Sequence, residues 1–174
     1  MKKTILASLF AAAMLPAFAF AADGTVNFTG EVTQTTCVPA TGSTTQNVIL
    51  NKISASALAD GKLHGYKDFT ISLVNCGSTS KSVAVQFDGT TNVDFVTGYL
   101  KNTMTGSTAA TNVEIALADS NFTTLKLPVG TSVPVTTQAD GTAIIPMYAA
   151  YVQNGGTAGA GQIASSTTFS IIYP

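Results

Sequence analysis

Stretch after stretch of this chain is apolar at every second position, and that period confines it to strands, because a helix needs apolar residues three and four apart. Residues 68–76, DFTISLVNC, put Phe69, Ile71 and Leu73 on one face, and residues 82–87 do the same with Val83, Val85 and Phe87. The Asp88-Gly89 pair that follows signals a turn. So does Asp140-Gly141, ahead of a strand at 142–152 in which Pro146 argues for a bulge or an edge position. Further strands are expected at 46–50, 94–101, 113–118, 123–127, 133–137 and 163–173, the last carrying Phe169, Ile171 and Tyr173 on one face. One helical turn is expected at 54–60, with Ser54 as its N-cap and Gly61 past its end. Many short strands joined by turns rich in Thr, Gly and Asn favour an all-β sandwich over a barrel.

The first residues, MKKTILASLFAAAMLPAFAFA, have the layout of a secretory signal: two lysines, an apolar run broken by Pro16, then small residues. Cleavage after Ala21 or after Ala19 suits the pattern. The run is too short, and too interrupted, for the roughly 20 apolar residues of a spanning helix. The expected organisation is a signal at 1–21, an extension and link at 22–36, and a single domain at 37–174. Losing Lys2 and Lys3 leaves six lysines against nine acids, a net charge of −3, and the chain has no arginine. That composition excludes a nucleic-acid footprint and a bidentate phosphate site.

An exported chain with two cysteines, Cys37 and Cys76, is expected to join them in a structural disulfide. No CxxC spacing is present and His64 is the sole histidine, so neither a metal nor a cofactor is expected, and no catalytic residue is assigned. The reading of His64 as a general base is set aside for an exposed loop residue, since no motif places an acid or nucleophile beside it. Asp88 and Asp94 are read as turn and surface residues rather than a carboxylate pair. Gly156, Gly159 and Gly161 lack the spacing, the helix and the lysine of a phosphate cradle and are read as a loop.

Residues 24–32, GTVNFTGEV, alternate too, with Val26, Phe28, Gly30 and Val32 on one face and Thr25, Asn27, Thr29 and Glu31 on the other. A strand with one apolar face needs something to bury it, yet this one stands at the start of the exported chain. We read it as a strand buried in a neighbouring copy. Taken in order, GTVNFTGEV before Cys37, DFTISLVNC ending at Cys76, and the C-terminal GQIASSTTFSIIYP with Gly161 fourteen residues from the end and Tyr173 penultimate resemble the type 1 fimbrial subunits of the chaperone–usher pathway. The resemblance spans everything after the signal.

What it implies is an incomplete immunoglobulin-like β-sandwich that lacks its final strand and is completed by donor-strand exchange. The implied donor side chains are Val26, Phe28, Gly30 and Val32. Gly161, Phe169, Ile171 and Tyr173 are assigned by the same resemblance to an acceptor groove that a periplasmic chaperone fills first. The implied partners are neighbouring pilin subunits, that chaperone and an outer-membrane usher; the implied location is a cell-surface fimbrium reached through the periplasm. A shaft subunit is the first reading. The alternatives are a minor or adaptor subunit, or a small secreted sugar-binding module in which Tyr66 or Tyr99 stacks on a sugar.

Overall fold

The computed structural model describes residues 24–30, 32 and 36–174, so the signal assigned to 1–21 lies outside the described residues. The chain divides into two units, Met1–Val32 and Thr33–Pro174. In the first, the described residues have no regular secondary structure, and Val26, Phe28 and Val32 are 74, 90 and 97 % exposed.

The second unit is the sandwich. Its strands are β1 (Val38–Pro39), β2 (His64–Val74), β3 (Ser82–Phe87), β4 (Val93–Asp94), β5 (Tyr99–Lys101), β6 (Val113–Ala118), β7 (Gly130–Thr131), β8 (Val135–Thr136), β9 (Ala143–Gln153) and β10 (Phe169–Ile172). One sheet runs β1-β2-β9-β6-β5-β4 and the other β10-β3-β7, with β8 also paired to β3; every one of these pairings is antiparallel. Alternation places Ile71, Leu73, Ile145 and Met147 of the first sheet against Val83, Val85 and Phe87 of the second, all nearly or wholly buried. Cys37 and Cys76 are joined at that core, with their Cα atoms 4.1 Å apart. The expected helical turn forms as a 3-10 turn, Ala55–Leu58: Ser54 caps it by accepting from the Ser56 N–H, and Gly61 follows at φ +68°.

Several expected strands are shorter or broken, each for a local reason. The strand at 94–101 is a hairpin, because the Asp94 carboxylate accepts the Val96 N–H at 2.8 Å and Gly98, at φ +75°, turns the chain back. Residues 123–127 make only one bridge, Thr124 to Ala118, and 133–137 contracts to β8. His64 opens β2 instead of lying in a loop, and it has an acid beside it after all: Asp60 sits 2.8 Å from its Nε2. Pro146 lies in β9, a central strand. Yet β6 ends opposite Tyr148, so at Pro146 β9 has a ladder partner only on the β2 side, at Thr70. A missing N–H is tolerated at such a local edge. Two further shortfalls, at 46–50 and at 163–173, belong together and are taken up below.

The disulfide closes a loop of 39 residues in sequence separation, which in the chain-entropy view contributes about 4 kcal/mol. The Cys37→Ser/Cys76→Ser double variant is expected to lose roughly that much in equilibrium urea unfolding, and to accumulate less in the exported fraction.

Candidate functional site: an unpaired slot between two extended stretches

The final strand was expected over 163–173, but only Phe169–Ile172 joins a ladder, pairing along one edge with β3 from Phe169 opposite Phe87 to Ile172 opposite Ala84. Residues 162–168 continue the same extended run outside any named strand, with one isolated bridge from Gln162 to Ala109. Their side chains alternate, the odd-numbered ones half-buried from Ile163 to Tyr173 and the even-numbered ones exposed up to Ser170. No backbone hydrogen bond is made by Ile163, Ser165 or Thr167 among the described residues.

The expected strand at 46–50 shows the same condition. Residues 46–50 alternate, with Val48 and Leu50 half-buried against the core and Ile53 half-buried three residues further on, but among the described residues the backbone of 46–53 makes no hydrogen bond. The sequence pattern of a strand is present, then, in two stretches that have the shape of strands and lack a partner. Among the described residues the first of them is hydrogen-bonded through the Gln46 side chain, whose Nε2 donates to the Thr70 carbonyl at 2.6 Å and to the hydroxyl of buried Ser43 at 3.2 Å; that hydroxyl also accepts the Ser72 N–H at 3.0 Å.

Between the two stretches lies a groove of about 620 Å³, floored by Phe69, Ile71, Leu100, Ile115 and Leu117 and flanked by Val48, Leu50 and Phe169. A second cavity of about 630 Å³ lies between the next residues of the same two stretches, with Ile53 and Leu58 on one side and Gly161 and Ile163 on the other. The Ser165 hydroxyl, on the wall of the first, is buried and has no hydrogen-bond partner. Buried backbone and hydroxyl groups are nearly always paired in folded proteins. A slot with an apolar floor and two unpaired backbone edges is therefore complementary to one more extended segment with an apolar face.

Of the residues singled out from sequence, Gly161, Phe169, Ile171 and Tyr173 fall at or beside this slot. Phe169 lines it, and Ile171 and Tyr173 pack half-buried on the core beyond it. The Tyr173 hydroxyl accepts the backbone N–H of Cys37 at 2.6 Å, tying the last strand to the disulfide. Gly161 lines the second cavity, and its role is close approach: a Cβ there would sit 2.7 Å from the Ala109 carbonyl oxygen and closer still to the backbone of Ala110. Val26, Phe28, Gly30 and Val32 lie in the other unit, on described but exposed backbone.

The remaining candidates stand elsewhere. Tyr66 meets Phe122 and Tyr148 edge-on at 5.4 and 6.4 Å, and the Lys126 amine covers the Tyr99 ring at 4.2 Å. Asp94 is engaged with Val96 and with Asn154, whose Nδ2 donates at 3.3 Å. Nearby Glu114 is buried, which pushes its carboxyl above the ordinary range although Thr97 donates to it at 2.9 Å. Asp88 has a role that sequence reasoning missed. Ser170 and Thr168 donate to its carboxylate from the slot's lip, and these bonds, the Ser170 one foremost, hold the acid below its ordinary value. Among the described residues no cluster of three His, Cys, Asp or Glu side chains is placed to hold a metal.

Comparison with known proteins gives the chain a family and its fold a likeness. Residues 26–174 match the family model described as fimbrial protein. The chain is 36 % identical to the major fimbrial subunit SMF-1 of Stenotrophomonas maltophilia, over 92 % of this chain and 98 % of that one. It is 35 % identical to long polar fimbria protein A of Salmonella typhimurium, over 99 % and 97 %. Among solved structures, its fold is similar to that of the P pilus rod subunit PapA, at a TM-score of 0.61 and 19 % identity over 79 % of this chain and 99 % of that one.

Two outcomes follow from the contacts around the slot. Gly161→Ala is expected to cost about 1–3 kcal/mol in thermal or urea unfolding, since backbone on both sides must shift to admit one methyl group. Because the folded-state pKa of Asp88 is depressed, its contribution is present above the ordinary value of 3.8 and is lost as pH falls through the folded value. The stability advantage of the parent over Asp88→Asn, measured by unfolding from pH 7 downward, should shrink in that range.

Proposed function

Because the chain belongs to the fimbrial protein family, being a structural subunit of a fimbria assembled with other pilin subunits at the cell surface, we propose that its slot receives residues 24–32 of a neighbouring copy. The single observation that carries the reading is the pair of facing stretches, 46–53 and 163–169, whose backbone edges are both free across an apolar floor. The extension has the matching character. Its apolar row of Val26, Phe28, Gly30 and Val32 is unburied in its own unit, and its length of nine residues spans roughly 27–30 Å, enough to run along the slot. Inserted there, its backbone supplies the missing ladder on both edges, and Val26, Phe28 and Val32 leave water, each contributing about 1.5–3 kcal/mol.

Polymerisation follows from the arrangement. Every copy carries one extension and one slot, so insertion is head-to-tail, and where the rotation between copies does not close a ring it grows a fibre. An open apolar slot with free strand edges is also an aggregation hazard before assembly. That supports a chaperone strand occupying it in the periplasm, and an usher that exchanges that strand for the next subunit's extension, as the family resemblance implies. The Cys37–Cys76 bridge and the Tyr173 bond to Cys37 then keep the sandwich framed while its final strand is borrowed. No catalytic role is needed for any of this.

Phe28→Asp tests the reading. It removes the largest donor side chain and puts a charge where the floor is apolar, so a peptide of residues 24–32 with this change should bind the slot at least about 100-fold more weakly than the parent peptide. Cells making only the variant subunit should form no fibres of it. Normal fibres by electron microscopy would exclude the donor assignment.

A further inference from the structure

An extended strand directs the backbone groups of successive residues to opposite edges. Along 162–168 every backbone bond made toward the rest of the sandwich is at an even-numbered residue. Gln162 donates to the Thr108 carbonyl at 2.7 Å, and its own carbonyl accepts from the Ala110 N–H at 2.8 Å and from Asn102 Nδ2 at 3.0 Å. The Ala164 N–H is held by Asn102 Oδ1 at 3.1 Å, and its carbonyl by the Thr103 N–H at 2.8 Å and hydroxyl at 2.9 Å. The Ser166 carbonyl accepts from Asn92 Nδ2 at 2.9 Å, and the Thr168 carbonyl from the Asp88 N–H at 3.2 Å. Beyond Phe87, where β3 ends, side chains and loop backbone take over the edge that a strand would have occupied.

We infer that Asp88, Asn92, Asn102 and Thr103 are positioning residues for strand uptake: they clip one edge of 162–170 so that the other edge stands preformed as a template for the incoming segment. This rests on the reading of the slot given above and adds to it residues that do not line the slot. Clipping removes in advance the entropy of straightening the lip, roughly 1–2 kcal/mol for each residue fixed, so that the entering strand meets a fixed edge. The clips act locally. Asn102 and Thr103 govern 162–164 and Asp88 governs 168–170, six residues of extended chain apart, or roughly 20 Å.

Locality gives the test. The purified full chain, with Phe28→Asp silencing its own extension, is titrated with a synthetic peptide of residues 24–32 and with two shortened forms, 24–29 and 27–32. Adding Asn102→Ala should weaken the full peptide roughly fivefold, weaken one shortened peptide similarly, and leave the other unchanged. Asp88→Ala should show the reverse preference. Thr103→Val, which removes one hydroxyl, serves as the milder variant at the Asn102 end if Asn102→Ala does not fold. The crossed pattern supports the inference, because a general loss of stability would weaken all three peptides alike. Equal weakening of all three, or none, overturns it. If the parent chain fails to bind even the full peptide, the donor-strand reading falls first and takes this inference with it.

Discussion

The backbone hydrogen bond, and the want of it on two facing edges, governs this molecule. In the long strands the sandwich follows the rule that buried peptide groups find partners: β2 and β9 pair over most of their eleven residues each, and β6 closes on β9 over its whole length. At the slot the rule is suspended. Residues 46–50 and 163–167 have the alternation and the partial burial of strands but no ladder. Two consequences follow together, namely that the fold is incomplete by itself and that what completes it must be extended and apolar on one face.

Much of this was legible in the sequence, and the misses have a common cause. The alternation at 68–76, 82–87 and 113–118 gave strands that the structure keeps, because each has a partner on at least one edge. The same alternation at 46–50 and 163–168 gave strands that the structure leaves unpaired, because alternation reports which face is buried and says nothing about whether a neighbour exists. Turn chemistry explains the rest. Asp94 and Gly98 together bend what hydrophobicity alone read as one strand.

The site was legible in part. Phe169 and Gly161 stand on the walls of the two cavities, and Tyr173 stands close by, though its hydroxyl is spent on Cys37. Asp88 carries a signal, a turn pair, that points to a corner and not to the contact it makes with Thr168 and Ser170 eighty and more residues later. Asn92, Asn102 and Thr103 carry none, for an Asn or Thr in a loop has too many ordinary uses to be singled out. Long-range side-chain to backbone bonds are made by the fold and are invisible before it.

The covalent link between Cys37 and Cys76 has a mechanical meaning as well. A pull arriving from the N-terminal side at Cys37 is handed across the sulfur bridge to Cys76, and through the Tyr173 phenol to the far end of the chain. The backbone from Val38 to Asn75, β2 included, then does not have to carry that pull along its whole length between the two cysteines, because the sulfur bridge is the shorter covalent path.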